Sequence, residues 1–313
     1  MRRSLVAVVG ATATGKTAVG EAVAERLGGE VVCADARQVF RELEIGTGRP
    51  TPAERASRPH HLFDLWGLGE RATAGAWARE AAAVCEDAFA RGVTPVLVGG
   101  SGLYLSALQQ GLHPEPPKDA RVRAALVAEC EAEGSEAMHA RLTSLDPQAA
   151  ASLAPRDRQR ILRALEVVIV GGRPLAAWRA MPREAPLVAT WHTYELVCTP
   201  AVLAERIATR TRSMWRDGLL EETRALVAGG HETALRTLAA IGYDEALDRL
   251  AGILDAAAVE ARMNERTRQM AKRQRTWFRH QTTGTTLAAD EPSGLLALAE
   301  RIAREVDGGG AHG

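Results

Sequence analysis

One short segment of the chain combines glycines, a lysine and a threonine at a spacing suited to phosphate chemistry. It fits the pattern G-x-x-x-x-G-K-[S/T] and consists of Gly10, Ala11, Thr12, Ala13, Thr14, Gly15, Lys16 and Thr17. The glycines let the backbone wrap around a phosphate, Lys16 can reach its terminal oxygens, and the Thr17 hydroxyl can ligate Mg²⁺. Lysine occurs at only three positions of the chain, which makes a chance match rare. The segment predicts a phosphate-binding or diphosphate-binding loop, a device shared by nucleotide kinases, ATP-binding enzymes and other phosphate-ester enzymes.

Two further polar residues follow apolar runs of the sequence. Asp35 comes after the second run, and Ser101 lies in the Gly-Gly-Ser-Gly segment after the third. Because ligands of a parallel sheet bind at the carboxyl ends of its strands, both should open on the same crevice as Lys16. Asp35 could act as a general base or an indirect Mg²⁺ ligand, or it could cap a helix beginning near Ala36. Ser101 could bring a hydroxyl to a metal or phosphate, or it could belong to a tight turn.

The elements that must position these residues alternate between apolar runs and helical patterns. The first third of the chain holds three short apolar runs, which are typical of buried parallel strands, separated by helical segments. A breaker cluster begins at His113, and only helical patterns follow it until the strand character resumes at Tyr194. We therefore predict an α/β fold, with a P-loop NTPase-like parallel sheet flanked by helices, formed by residues 1–112 and 190–313. Residues 113–189 should form an all-helical insertion domain.

Composition narrows the classes of protein that fit. The 313 residues include 39 Lys+Arg and 39 Asp+Glu, so any nucleic-acid partner must be held by a local basic patch rather than by overall charge. Hydrophobic residues make up 46% and charged residues 25%, as in globular proteins. The apolar stretch near the N-terminus is too short for a membrane span, and the four cysteines form no C-x-x-C pair. We expect a cytoplasmic, thiol-reduced protein without a membrane segment.

Two segments carry such a local positive charge. Residues 156–163 place four arginines at the start of a helix in the insertion, and residues 268–279 carry five cations and no acid. Helices of this kind can neutralise backbone phosphates, while an aromatic residue such as Trp277 or Phe278 stacks on an exposed base. The alternative is a solvated basic face with both aromatic residues packed inward.

Adjacent histidines in the segment His60-His61-Leu62-Phe63-Asp64 resemble a metal cluster at first sight. Neighbouring side chains point in different directions on any regular element, and a third ligand at useful spacing is missing. A structural role is therefore favoured over a zinc site.

Taken in order, the motifs of this sequence resemble those of the tRNA dimethylallyltransferases, also called tRNA isopentenyltransferases. The resemblance runs from about Val6 to Arg279. It rests on residues 10–17, 35–40, 45–50, 60–64, 99–105, 157–167, 241–243, 271–274 and 276–279. The sequence departs from the usual family residues at Ala11, Ala36, Phe40, Arg49 and Asp244, where Pro, Ser, Tyr, Lys and a basic residue are common.

The resemblance implies transfer of a dimethylallyl group from dimethylallyl diphosphate, assisted by Mg²⁺ with Thr17 as its ligand. The acceptor would be the exocyclic N6 amine of the adenosine immediately 3′ of the anticodon, in tRNAs that read codons beginning with U. The phosphate loop would then hold the diphosphate leaving group. By similarity, Asp35 is the base that accepts the amine proton, and Arg210 contacts the diphosphate. Ser101 stands where the family usually has Thr, and it keeps the hydroxyl.

The same resemblance implies that the insertion grips the anticodon stem-loop of the tRNA. The residues expected to contact tRNA are Asp35, Ala36, Arg37, Gln38, Ser101, Arg123, Gln159, Arg160, Ile161, Leu162 and Arg163. The adenine has to leave its stack to reach the donor, so base flipping is expected. We expect the protein to act as a monomer.

Three alternatives share some of these features. A free-nucleotide (adenylate) isopentenyltransferase would keep the phosphate loop and Asp35 without needing the two basic helices. A small-molecule P-loop kinase would turn over ATP, and a non-catalytic RNA-binding module would bind tRNA without transferring a group. The two basic segments favour the tRNA-modifying enzyme.

Overall fold

The computed structural model describes residues 3–183 and 187–308. The chain divides into two compact units, an α/β unit of residues 1–109 and 186–313 and a helical unit of residues 110–185. The boundaries predicted from the sequence were residues 113 and 189 of the insertion.

The α/β unit is built on a six-stranded sheet in which all pairings are parallel. Its strands are β1 Ser4–Gly10, β2 Glu30–Cys33, β3 His60–His61, β4 Pro95–Gly99, β5 Thr190–Val197 and β6 Thr285–Ala288, in the order β3-β2-β4-β1-β5-β6. The central strand β1 is buried along almost its whole length because helices cover both faces of the sheet. This arrangement confirms the predicted fold class, although the two-residue strand β3 was not predicted.

Helices account for most of the remaining described residues. In chain order they are α1 Lys16–Leu27, α2 Pro52–Arg55, α3 Ala74–Ala90, α4 Gly102–Gln109, α5 Ala120–Glu133, α6 Ser135–Leu145, α7 Pro147–Ala151, α8 Arg158–Gly171, α9 Leu175–Arg179, α10 Pro200–Arg216, α11 Leu219–Ala228, α12 Glu232–Leu238, α13 Tyr243–Leu250, α14 Ala256–Gln281 and α15 Leu295–Gly308. Two 3₁₀ helices, Ile45–Thr47 and Pro292–Gly294, complete the set.

Separate hydrophobic cores lie on the two faces of the sheet. One core contains Trp77 of α3 and Phe278 of α14, and the other contains Val23 of α1 and Ile302 of α15. Trp77 also donates a hydrogen bond from its indole nitrogen to the carbonyl oxygen of Cys33 at 3.0 Å. The end of β2 is thus tied to the core beneath it.

The helical unit has its own core, formed by α5, α6, α7 and α8. Leu126, Met138, Leu142 and Leu165 are among its buried residues. Asp146 connects two helices of this unit, because its carboxylate accepts hydrogen bonds from the backbone amides of Ala149 in α7 and Leu175 in α9. The unit therefore has a folded interior independent of the sheet.

None of the helices within residues 3–183 and 187–308 has both the length and the apolar character required to cross a lipid bilayer.

Candidate active site

The phosphate loop connects β1 to α1 through a backbone that few residue types can adopt. Gly10 has a φ of 138°, and a side chain there would place its Cβ 2.4 Å from the carbonyl oxygen of Leu196. Gly15, with a φ of 91°, lies at the N-cap of α1 in the left-handed region, and Ala13 has a φ of 64°. The loop therefore leads directly into the positive end of a twelve-residue helix.

Two half-buried cations lie beside this loop. The Lys16 ammonium donates to the carbonyl oxygen of Ala11 at 2.6 Å. Arg210 of α10 donates to the Thr12 hydroxyl at 3.3 Å and to the Thr47 carbonyl oxygen at 2.7 Å. Within residues 3–183 and 187–308, a carboxylate at ion-pair distance is missing for both cations. The loop thus presents concentrated positive charge that an anionic ligand can neutralise.

Burial perturbs the protonation of both cations in the same direction. It lowers the pKa of Lys16 to about 8, against the opposing charge of Asp35. Burial also lowers the pKa of Arg210, again opposed by Asp35. A bound diphosphate would favour the charged forms and so raise both pKa values.

Asp35 follows β2 and is held close to the loop that follows β4. One of its carboxylate oxygens accepts a hydrogen bond from the backbone amide of Arg37 at 2.8 Å. The Ser101 hydroxyl accepts from the amide of Ala36 at 2.8 Å, and the Ser101 amide donates to the carbonyl oxygen of Ala34 at 3.2 Å. Residues 36–39 form a turn, so Asp35 caps a turn rather than a helix. The Ser101 hydroxyl positions the backbone beside Asp35.

Lys16, Asp35 and Arg210 meet in one cavity of about 390 Å³ at the carboxyl ends of the strands. Ser101, which was expected to open on the same crevice, is not among the residues that line it. Its polar lining includes Thr12, Lys16, Thr17, Asp35, Arg37, Gln38, Arg210 and Gln274. Its apolar lining includes Ile207, Met214, Ile241, Met263 and Met270. The cavity can therefore accept a ligand with a charged end and an apolar end.

Arg37 and Gln38 are held on the cavity wall by carbonyl oxygens. The Gln38 amide group donates to Thr47 and Gly48 at 3.2 Å each. The Arg37 guanidinium donates to Leu238 at 3.0 Å, and burial lowers its pKa. Both residues thus line the same cavity as Asp35.

Helix α14 contributes a residue that the sequence analysis did not assign to the site. The Gln274 side chain accepts a hydrogen bond from the Thr12 amide at 2.8 Å and donates to the Gly100 carbonyl oxygen at 2.9 Å. It therefore bridges the phosphate loop and the loop after β4. Gln274 belongs to a matching motif, but its partners are far away in sequence, and periodicity alone offers no signal for this contact.

The aromatic residues at the end of α14 pack inward, as the second of the two interpretations predicted. Phe278 is buried in the core, and Trp277 is half-buried against Gly102. The cations of this helix behave differently, since Arg268, Lys272, Arg273 and Arg279 are exposed. The helix can thus offer charge to an RNA backbone, but its two aromatic rings belong to the interior.

In the helical unit, the residues predicted to contact tRNA fall into two groups. Gln159 and Arg160 are exposed at the start of α8, with 76% of the Arg160 side chain accessible. Arg163 pairs with Glu166 at 2.9 Å and with Glu115. Arg123 lies 3.6 Å from the same Glu166. Both of these arginines are partly accessible and anchored by a buried carboxylate.

The other two residues predicted to contact tRNA on α8 have buried side chains. Ile161 is 0% exposed and Leu162 is 2% exposed, and both belong to the core of the helical unit. Their side chains cannot contact RNA while that core is intact. Their packing in the core holds α8, which carries the exposed Gln159 and Arg160.

The paired histidines have structural partners. His60 contacts Glu21, and His61 contacts Glu30 at 2.9 Å. Glu30 is also bonded to Arg91 at 2.6 Å, and this bond is the main cause of its lowered pKa, about 2. The part of the chain that the structure describes holds no cluster of three or more His, Cys, Asp or Glu residues suited to a metal ion. Both histidines thus take part in side-chain contacts with carboxylates of the fold.

The cavity also offers oxygen donors that suit a magnesium ion. The Thr17 hydroxyl lies in the first turn of α1, and the Asp35 carboxylate lines the same cavity. Mg²⁺ is commonly held by one or two protein oxygens together with substrate phosphates and waters. Thr17, with Asp35 acting through water, would hold such an ion.

Comparison with known proteins identifies relatives over nearly the whole chain. A profile described as IPP transferase matches residues 38–281, and one described as Isopentenyl transferase matches residues 3–63. A protein named tRNA dimethylallyltransferase from Halorhodospira halophila is 44% identical over 93% of this chain and 94% of its own length. One of the same name from Salinispora arenicola is 43% identical, covering 96% of this chain and 86% of its own.

Two solved structures are also similar to this chain over nearly its whole length. The full-length tRNA isopentenylpyrophosphate transferase from Bacillus halodurans has a TM-score of 0.69 and 31% identity, with 98% of each chain covered. A eukaryotic dimethylallyltransferase described as acting on tRNA has a TM-score of 0.80 and 25% identity, with 97% of this chain and 79% of the other covered.

Proposed function

Because the chain belongs to the IPP transferase family, we propose that it transfers a dimethylallyl group from dimethylallyl diphosphate to tRNA. The acceptor in this proposal is the N6 amine of the adenosine immediately 3′ of the anticodon, in tRNAs that read codons beginning with U. The names of the relatives support a tRNA prenyltransferase. The residues that line the cavity support the choice of donor and acceptor.

One observation carries the proposal. Lys16 and Arg210 are half-buried beside the phosphate loop, with no carboxylate at ion-pair distance among the described residues, and the same cavity holds Asp35 and an apolar wall. A diphosphate would supply the missing negative charge, while the short prenyl group would lie against Met214 or Met263. This combination of a charged end and an apolar end suits an allylic diphosphate better than a nucleoside triphosphate.

The proposed reaction exchanges one bond to the allylic carbon for another. The N6 nitrogen of adenine bonds to C1 of the dimethylallyl group as the bond from C1 to the diphosphate oxygen breaks. The electron pair of that bond leaves with the diphosphate, whose growing charge is stabilised by Lys16, Arg210 and the loop amides. The Asp35 carboxylate accepts the proton released from N6.

A magnesium ion held by Thr17 would supply further charge stabilisation on the leaving diphosphate. The proposal therefore requires that transfer depend on a divalent cation. Removal of Mg²⁺ by EDTA should abolish transfer, and its return in excess should restore it.

RNA recognition in this proposal relies on two basic surfaces. One surface is formed by Gln159 and Arg160 of α8, with Arg123 and Arg163 beside them in the helical unit. The other is the exposed face of α14 around Lys272. A protein of zero net charge gains affinity for an anticodon stem-loop only from such local patches. We further propose that the enzyme acts as a cytoplasmic monomer.

The decisive experiment offers two acceptors in one reaction. Purified protein is incubated with Mg²⁺, radiolabelled dimethylallyl diphosphate, AMP, and an anticodon stem-loop bearing adenosine 3′ of the anticodon. We expect label in the RNA and none in AMP. A second stem-loop with guanosine at that position serves as the matched control and should remain unlabelled.

Other outcomes would redirect the assignment. Label in AMP alone would identify a free-nucleotide prenyltransferase. Label in neither acceptor, with turnover of ATP, would favour a small-molecule kinase. RNA binding without either activity would favour a non-catalytic RNA-binding module.

A further inference from the structure

A half-buried carboxylate outside the cavity organises the turn that holds Arg210. Glu222 of α11 accepts hydrogen bonds from the backbone amides of Glu44 at 2.7 Å and Ile45 at 3.1 Å. It also accepts from the Tyr243 hydroxyl at 2.9 Å. Residues 44–46 lie nearly two hundred positions away in the sequence, so this contact exists only through the fold.

Tyr243 completes the arrangement from a different helix. It lies at the start of α13, is 0% exposed, and its hydroxyl oxygen accepts a hydrogen bond from the Gly46 amide at 3.2 Å. The ring packs so closely that a Cβ on Gly46 would lie 2.3 Å from it. Three consecutive backbone amides, at residues 44, 45 and 46, are therefore fixed by Glu222 and Tyr243.

The opposite side of the same turn faces the active site. The Thr47 carbonyl oxygen accepts from Arg210 at 2.7 Å and from Gln38 at 3.2 Å. Gly48 gives Arg210 room, because a Cβ at that position would lie 2.4 Å from the guanidinium. The turn thus connects the half-buried Glu222 carboxylate to the arginine beside the phosphate loop.

We propose that Glu222 and Tyr243 are positioning residues, which fix the turn at residues 44–48 so that Arg210 is aimed at the diphosphate. This inference rests on the proposed function, since it assigns Arg210 to the leaving group. Neither residue lines the cavity, so each acts through the turn rather than on the substrate. A small displacement of a group that stabilises developing charge is enough to slow the chemical step.

The test compares Glu222→Gln and Tyr243→Phe with wild type. The first replaces one acceptor oxygen by an amide donor that faces backbone amides, so at least one of them loses its partner. The second removes the hydroxyl but keeps the ring against Gly46, and it remains informative if the first variant fails to fold. Glu221→Gln is the matched control, because Glu221 is the exposed neighbour on the same helix.

The first measurement is the affinity for inorganic diphosphate, determined by calorimetry without RNA. We expect Glu222→Gln to weaken binding about tenfold, Tyr243→Phe to weaken it less, and Glu221→Gln to leave it unchanged. In the transfer assay, KM for dimethylallyl diphosphate should rise and kcat should fall, with a smaller change in KM for the stem-loop. The double variant should show less than the product of the two single effects, because both residues act on one turn.

A purely structural role gives a different pattern. If both variants unfold at lower temperature but bind diphosphate and turn over as wild type does, the inference is overturned. A wild-type protein that does not bind inorganic diphosphate also overturns it. If the wild type binds diphosphate but prenylates no RNA, the proposed function fails, while the affinity comparison still decides the role of Glu222 and Tyr243.

Discussion

The two units of this protein use positive charge in opposite ways. In the α/β unit, Lys16 and Arg210 are half-buried beside the phosphate loop, and desolvation lowers the pKa of both. In the helical unit, Arg160 stands with 76% of its side chain accessible above a hydrophobic core. The first arrangement opposes folding of the empty protein and favours binding of an anion, whereas the second leaves stability almost unaffected.

This difference separates two tasks that both require cations. Stabilising a leaving group requires charge in a place with little water, where each interaction is strong. Holding an RNA backbone requires charge that remains solvated until counterions are displaced, and its strength depends on salt. Substituting a cation of the α/β unit should therefore mainly change the rate of transfer. Substituting a cation of the helical unit should mainly change the affinity for RNA and its dependence on salt.

The largest effect should follow removal of the Lys16 ammonium. Lys16→Met keeps the length of the side chain but removes the charge, and we expect transfer to fall by about 10³-fold. Arg160→Met is the matched substitution in the helical unit, and it should retain transfer at saturating RNA. Single-turnover rates with excess enzyme measure both variants. Equal losses in the two would contradict the division of tasks between the units.

A substitution of the proposed base should have the next largest effect. Asp35→Asn can still accept the hydrogen bond from the Arg37 amide, so the turn after β2 should persist. We expect a transfer rate lower by about 10²-fold, with diphosphate and RNA affinities largely intact. Asp87→Asn, on the exposed face of α3, is the control. Turnover near the wild-type rate would remove Asp35 from the role of base.

The phosphate loop could be predicted from the sequence because its information is local. Eight consecutive residues contain the glycines, the lysine and the threonine, and the strand and helix on either side have clear apolar patterns. The bond from Gln274 to Thr12 joins residues 262 positions apart, and that from Arg210 to Thr47 joins residues 163 apart. Such contacts follow from the packing of whole helices, which periodicity does not specify.

The core face of helix α8 can be recognised from its sequence. Its buried positions Ile161, Leu162, Leu165 and Val168 recur at helical spacing, which marks them as a core face. The family motif spans both faces of the helix, so a contiguous assignment included two core residues with the exposed ones. Strand β3, by contrast, has only two residues, too few for any pattern.

The exposed arginines should produce a moderate effect that depends on salt. Arg160→Ala should weaken stem-loop binding several-fold and reduce the slope of log affinity against log salt by about one. Arg163→Ala should do the same but also destabilise the helical unit, because it leaves buried Glu166 with a weaker partner. Arg301→Ala on α15 is the control. An unchanged slope for Arg160→Ala would mean that its face of α8 is merely solvated.

The smallest effect concerns stability and its dependence on pH. At pH 7 the folded protein without ligand holds a charged Lys16 that burial disfavours, so Lys16→Met should be more stable than wild type. As pH rises from about 8 towards the ordinary pKa of 10.5, Lys16 loses its proton in the folded state before it does so in the unfolded state. The unfolded state then binds more protons, and wild-type stability rises relative to the variant. Urea unfolding at several pH values should show the gap closing across this interval.

Arg160→Met provides the comparison for that pH series. Its guanidinium is exposed, so folding does not desolvate the charge, and its stability curve should run parallel to that of wild type. Inorganic diphosphate offers a further check, since binding should restore the charged form of Lys16 and make the wild type more stable than Lys16→Met at pH 7. A gap between wild type and Lys16→Met that stays constant from pH 7 to pH 10 would show that burial of this ammonium does not oppose folding.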